Sequence, residues 1–123
     1  MVSAGISSDF KTPGEQCLGQ SVEYQCTVTG SGLQVLTWKV NDDNGAQIMG
    51  SPLTYTSVNI GGSVSIGGVF TVEQISKSPL ISNISFTVQS SINGYTISCE
   101  DGDGNLENCL IQIIGNIAQL YNL

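Results

Sequence analysis

Three residues in alternating apolar runs constrain the fold of this 123-residue chain more than any other feature: Cys26, Trp38 and Cys99. From position 22 to 28, apolar residues alternate with polar ones, and the same alternation surrounds Trp38 and Cys99. A period of two is typical of a half-buried strand. We therefore expect the three side chains to lie on the inward faces of three strands around one core.

Length and composition favour one all-β domain. The chain is long enough for a single core, and its 15 glycines with only 11% charged residues suit a fold with many turns. Three lysines face ten carboxylates, which gives a net charge of −7. This charge repels phosphate backbones and anionic membranes, so we expect neither nucleic-acid binding nor direct membrane contact.

The spacing Gly19-x-x-Val22-x-Tyr24-x-Cys26, followed by Trp38 and Cys99, resembles the immunoglobulin superfamily over nearly the whole chain. The resemblance implies a two-sheet antiparallel Greek-key sandwich, a disulfide from Cys26 to Cys99 between the sheets, and Trp38 packed against that disulfide. The interval from 38 to 99 leaves room for strands C′ and C″, so the domain looks variable-like.

The predicted domain covers residues 9–114, preceded by a flexible N-terminus at 1–8 and followed at 115–123 by a linker or the end of strand G. The predicted strands are A at 9–12, B at 20–28, C at 33–40, C′ at 46–49, C″ at 53–59, D at 69–75, E at 81–90, F at 95–100 and G at 108–114.

The other two cysteines allow two disulfide patterns. If Cys26 pairs with Cys99, elimination leaves Cys17 with Cys109. The competing pattern joins Cys17 to Cys26 and Cys99 to Cys109, which leaves the sheets unbridged, and connectivity does not follow from sequence alone. Four cysteines without a histidine or a Cys-x-x-Cys pair favour disulfides over zinc, and therefore an extracellular location. The first residues lack the apolar run of a signal peptide, so we expect an excised ectodomain module.

The predicted F–G loop is acidic and is a candidate partner-binding site together with the B–C loop. The residues are Asp101, Asp103, Asn105 and Glu107 of the first loop and Gly32 and Leu33 of the second. Alternating oxygens also suggest calcium, but a calcium loop requires glycine at its sixth position and glutamate at its twelfth, where this chain has Leu106 and Gln112. No metal site is predicted.

Two further surface features follow from the alternation. Asn83-Ile84-Ser85 is an N-glycosylation sequon whose asparagine should face solvent on strand E. Val35, Leu110 and Ile114 are predicted to face outward on strands C and G, where they would favour a weak dimer. Catalysis and cofactors are not predicted, because the chain has no histidine and no nucleophile or phosphate-loop motif.

By resemblance, we expect a recognition module of an invertebrate cell-surface receptor or adhesion protein. The parent protein would serve cell adhesion, self-recognition or receptor tyrosine kinase signalling, and the domain would bind a protein ligand or a second copy of itself. The alternative is a structural spacer in a tandem extracellular array, without a ligand of its own.

Overall fold

A computed structural model of the chain describes residues 5–11 and 14–116, which form two five-stranded β-sheets packed as a sandwich. The strands are β1 (Gly5–Ser8), β2 (Gly14–Leu18), β3 (Ser21–Thr29), β4 (Val35–Asn41), β5 (Leu53–Thr56), β6 (Val64–Ile66), β7 (Phe70–Lys77), β8 (Leu80–Thr87), β9 (Thr96–Glu100) and β10 (Leu106–Asn116). One 3₁₀ turn, Ser90–Ile92, connects β8 to β9.

The first sheet has the strand order β1-β3-β8-β7-β6, and the second has β2-β10-β9-β4-β5. Neighbouring strands are antiparallel in every pair but one, since β2 runs parallel to β10. The expectation of an all-β sandwich with two sheets is confirmed, and the parallel pair is an exception to the antiparallel arrangement that the sequence predicted.

The core lies between the two sheets and follows the alternation in the sequence. In β3 the buried positions are Val22, Tyr24, Cys26 and Val28, with Ser21, Glu23 and Gln25 exposed between them. Trp38 is fully buried on β4. Aromatic rings of the first sheet fill part of the interior, for example Phe70 of β7 and Phe86 of β8, whose centroids are 5.0 Å apart. The apolar faces of strands from both sheets therefore form one contiguous core.

The N-terminal segment differs from the prediction. Residues 1–8 were expected to be flexible, but Gly5–Ser8 pairs with β3 over Cys26–Thr29. Ile6 packs against the core, and the Ser8 hydroxyl donates a 3.2 Å hydrogen bond to a Glu107 carboxylate oxygen. A single apolar residue among small polar ones gives too weak a pattern to reveal such a strand.

The strand expected at 46–49 is also absent. That segment contributes only an isolated bridge between Asn41 and Gln47. The Val40 amide donates to the Ser51 hydroxyl at 3.0 Å. The Ser51 side chain therefore takes the hydrogen bond that a backbone carbonyl of a neighbouring strand would otherwise accept. The partner of β4 is instead β5, within the segment that the sequence assigned to C″.

Two further strand assignments differ from the prediction, those of β6 and of the end of β10. Val64–Ile66 was expected to be a bend, but it pairs with β7 as β6. Strand β10 extends through Asn116, beyond the predicted end of strand G, while the rest of the predicted linker, 117–123, lies outside the described residues.

The close approach of β2 to β10 gives a testable prediction. A Cβ added at Gly14 would lie 2.5 Å from the Cys109 Sγ and 2.6 Å from the Leu110 carbonyl oxygen. We expect Gly14→Ala to destabilise the fold by about 1–3 kcal/mol in urea unfolding, because the two strands must separate. Gly5→Ala is the matched control, since nothing lies within 4 Å of its added Cβ. Equal stabilities for the two variants would contradict the close packing.

Candidate functional site

One disulfide joins the two sheets at the centre of the sandwich. Cys26 of β3 and Cys99 of β9 are bonded, with an S–S distance of 2.00 Å and a Cα–Cα distance of 6.7 Å. Trp38 is the cross-strand neighbour of Cys99, which places the indole beside the bridge. The disulfide predicted from the resemblance, and the burial of the tryptophan, both agree with the structure.

The indole also has a polar partner that the sequence analysis missed. Trp38 Nε1 donates to the Ser82 hydroxyl at 2.8 Å, and that hydroxyl donates to the Glu73 carbonyl oxygen at 2.6 Å. Ser82 belongs to β8, so this chain of hydrogen bonds crosses from the second sheet to the first. A serine at an inward position of β8, two residues before Ile84, was the available signal, because a buried polar side chain requires a partner.

The second predicted disulfide, Cys17 to Cys109, is wrong. Both cysteines are buried free thiols. Strand β2 pairs Cys17 with Gly115, six positions along β10 from Cys109. At about 3.3 Å per residue this places the two cysteines roughly 20 Å apart, well beyond the limit of about 7 Å for a bridge. The competing pattern is also excluded here, because Cys26 and Cys99 are bonded to each other.

The Cys109 thiol is held in a buried polar cluster. Its Sγ donates to the Lys11 carbonyl oxygen at 3.2 Å and lies 3.9 Å from the Tyr24 hydroxyl, which accepts a 2.6 Å hydrogen bond from Gln16. Burial raises the pKa of the Cys109 thiol, and burial together with Cys109 raises that of Tyr24. Both groups are therefore neutral at physiological pH, and a neutral buried thiol is unreactive.

The acidic loop between β9 and β10 is organised by Asp101. This residue is only 7% exposed. One carboxylate oxygen accepts hydrogen bonds from the backbone amides of Asp103 and Asn105, both at 2.9 Å, and the other accepts from the Asn105 side chain at 2.7 Å. Asp101 and Asn105, predicted as partner-binding residues, are thus bonded to each other within the loop, Asp101 buried and Asn105 exposed, while Asp103 is also exposed.

The remaining predicted binding residues separate into two groups. Leu33 and Gly32 lie at the same end of the sandwich as Asp103, and Leu33 is 66% exposed. Glu107 is half-buried and faces inward, with its carboxylate accepting the hydrogen bond from Ser8 of the other sheet. The structure therefore brings Gly32, Leu33 and Asp103 together at the surface and excludes Glu107 from this group.

A groove lies between the two loops, which we call the loop-end groove. Its volume is about 400 Å³, and its lining residues are Ser31, Leu33, Gln34, Val35, Gly102 and Asp103. Gly102 packs closely on Val35, since a Cβ added at Gly102 would lie 3.0 Å from a Val35 methyl group. The two loops therefore form one continuous surface.

A third segment, after β5, lies beside this groove and was not anticipated from the sequence. The Ser57 amide donates to the Gln34 carbonyl oxygen at 3.0 Å, and the Gln34 amide donates to the Ser57 hydroxyl at 2.9 Å. These bonds hold the segment after β5 next to the loop between β3 and β4, and Val58, which follows Ser57, is 67% exposed. Val58 therefore adds an exposed apolar residue, besides Leu33, at this end of the sandwich.

The outer face of the second sheet combines apolar and polar groups. Along β10 the inward positions are Cys109, Ile111 and Ile113, so Leu110 and Ile114 are exposed on the outer face, as predicted. On the same sheet, Lys39 forms a 3.0 Å ion pair with Glu100.

Within residues 5–11 and 14–116, no group of three or more histidine, cysteine, aspartate or glutamate side chains is arranged to hold a metal ion. Over the same residues, no helix has the length and apolar character to cross a membrane.

Comparisons with known proteins leave the family open. No protein-family model matches the chain, and no curated protein matches it. Among solved structures, one match is a chain of "Structural basis of T cell specificity and activation by the bacterial superantigen toxic shock syndrome toxin-1". It has a TM-score of 0.45 and 11% identity, and the match covers 91% of this chain and 100% of that chain. A likeness this low assigns neither family nor function.

The Asp101 contacts predict which loop carboxylate supports stability. We expect Asp101→Ala to lower the free energy of unfolding by about 1–3 kcal/mol, because three donors lose their acceptor. Asp103→Ala is the matched control and should change it by less than about 0.5 kcal/mol, since that side chain is exposed. Urea unfolding of both variants at neutral pH checks this, and a larger loss in Asp103→Ala would contradict it.

The same contacts predict a pH dependence. Burial alone would raise the pKa of Asp101, but hydrogen bonds from Asn105, Asp103 and Gly104 outweigh it and lower the pKa below its ordinary value of 3.8. Since the folded pKa is depressed, the stabilisation is complete above pH 3.8 and is lost as the pH falls through the folded pKa. The stability difference between wild type and Asp101→Ala should therefore shrink in acid, and a constant difference would contradict the ionised role.

Proposed function

We propose that this chain is a variable-like domain of the immunoglobulin superfamily that recognises a protein partner outside the cell. The strand order supports the fold assignment: β1, β3, β8 and β7 correspond in position to strands A, B, E and D, and β10, β9, β4 and β5 to G, F, C and C′. Strand β5, which pairs with β4, is the additional strand that favours a variable-type over a constant-type domain.

The extracellular location is supported by the bridge between Cys26 and Cys99, because such disulfides form and persist in oxidising compartments. The bridge closes a loop of 73 residues, which restricts the unfolded chain. In the chain-entropy model, closing a loop of this length stabilises the fold by roughly 4 kcal/mol.

The loop-end groove is the observation that carries the recognition role. Its walls are fixed from both sides: Asp101 holds the F–G loop, and the paired hydrogen bonds between Gln34 and Ser57 hold the B–C loop. Exposed Leu33 and Asp103 then present an apolar and an acidic contact on rigid supports. Rigid loops lose little entropy on binding, which favours affinity.

The acidic character of the protein indicates the charge of its partner. With a net charge of −7 and an exposed carboxylate at Asp103, the domain attracts a basic protein surface and repels another acidic one. A heterologous partner with a basic patch is therefore favoured over a second copy.

A display screen tests the proposal. The domain, presented as a multivalent probe, is screened against a library of extracellular protein domains that includes the domain itself. We expect a partner whose binding is weakened about tenfold or more by Leu33→Lys, which removes the apolar contact and adds a charge that repels a basic surface. The matched control is Met49→Lys, which alters an 87% exposed apolar residue outside the groove.

Binding that both variants retain, or that both lose equally, would contradict recognition at the loop-end groove. The complete absence of partners would favour the spacer role.

A further inference from the structure

The geometry points to Asn83 as an acceptor of an N-linked glycan, which would cover the outer face of the first sheet. The inference rests on the extracellular location in the proposed function but not on recognition at the loop-end groove. The glycan would be attached to the sequon on β8, on a sheet face that does not form part of the loop-end groove.

Asn83 occupies the centre of its sheet and faces outward. Strand β8 is the third of five strands, and Asn83 lies between the inward residues Ser82 and Ile84. Its cross-strand neighbours are Gln25 on β3 and Glu73 on β7. The side chain is half-buried, because its strand neighbours flank it on both sides, yet it opens to solvent above the sheet.

The hydrogen bonding of Asn83 leaves the reactive atom available. Gln25 Nε2 donates to Asn83 Oδ1 at 3.1 Å, which orients the amide. Among the described residues, Asn83 Nδ2 has no acceptor. A glycan is attached through Nδ2, and the linked amide retains its carbonyl oxygen, so the hydrogen bond from Gln25 persists after modification.

The second element of the sequon lies on the same face. Ser85 is two residues beyond Asn83, so its hydroxyl points to the same side of β8. In the reaction, a bond forms between Asn83 Nδ2 and the anomeric carbon of the glycan, while the bond from that carbon to the diphosphate of a lipid-linked oligosaccharide donor breaks. The amide loses one proton, and the lipid diphosphate leaves.

The outward residues around Asn83 are mostly polar but not uniformly so. The row one step along the strands is Glu23, Ser85 and Thr71, all polar. The same face also exposes Ile75 of β7, at 48%. The outer face of the second sheet exposes Leu106, Leu110 and Ile114 along β10. A glycan on the first sheet would cover its outer face, Ile75 included, and leave the second sheet and the loop-end groove accessible to proteins.

Expression of the full chain behind a signal peptide in insect or mammalian cells tests this inference. Wild type and Ser85→Thr, which preserves the sequon, should show a mobility shift that peptide N-glycosidase F removes, with conversion of Asn83 to aspartate seen by mass spectrometry. Asn83→Gln and Ser85→Ala should lack the shift. Ser85→Ala retains the bond from Gln25, so it reports on modification even where Asn83→Gln folds poorly.

The modification is read on secreted and cell-associated protein alike, so the result does not depend on export. Unmodified wild-type protein that contains the Cys26–Cys99 bridge would overturn the glycan assignment and leave the proposed recognition role standing. A shift that persists in both Asn83→Gln and Ser85→Ala would overturn it as well.

Discussion

The covalent and hydrogen-bonded link between the two sheets supports the rest of this structure. The bridge from Cys26 to Cys99 joins β3 to β9, and the Trp38 indole beside it donates to Ser82 on β8. A sandwich of this size buries one modest core, so a crosslink at its centre limits how far the sheets can separate. Because the loops extend from the ends of these strands, the link also fixes the positions from which the loop-end groove is built.

The alternation around Cys26, Trp38 and Cys99 was sufficient to predict the inward faces of three strands around one core, because burial on one side of a strand imposes a period of two. The two-sheet class and the bridge came from the resemblance to a family. The parallel pairing of β2 with β10 could not be read in the same way, since five residues at an edge carry little pattern. That pairing moves Cys17 away from Cys109, and elimination among four cysteines therefore gave a wrong second bridge.

The acidic loop shows why residue type alone does not define a binding site. Asp101, Asp103, Asn105 and Glu107 are close in sequence, yet Asp101 and Asn105 hold the loop together and Glu107 binds across the sandwich to Ser8. The conformation of the turn determines which carboxylate accepts hydrogen bonds from the backbone amides, and the sequence does not specify that conformation. The outer face of the first sheet carries Asn83 and also exposes Ile75, the outer face of the second sheet exposes apolar residues along β10, and the groove lies at one end of the sandwich.

The most direct measurement of the central link is peptide mapping of the purified protein, alkylated under denaturing and non-reducing conditions. The structure predicts one crosslinked peptide pair, joining Cys26 to Cys99, with Cys17 and Cys109 both recovered as alkylated thiols. Recovery of Cys26 and Cys99 as free thiols, or crosslinked to Cys17 or Cys109, would contradict the account of how the two sheets are held together.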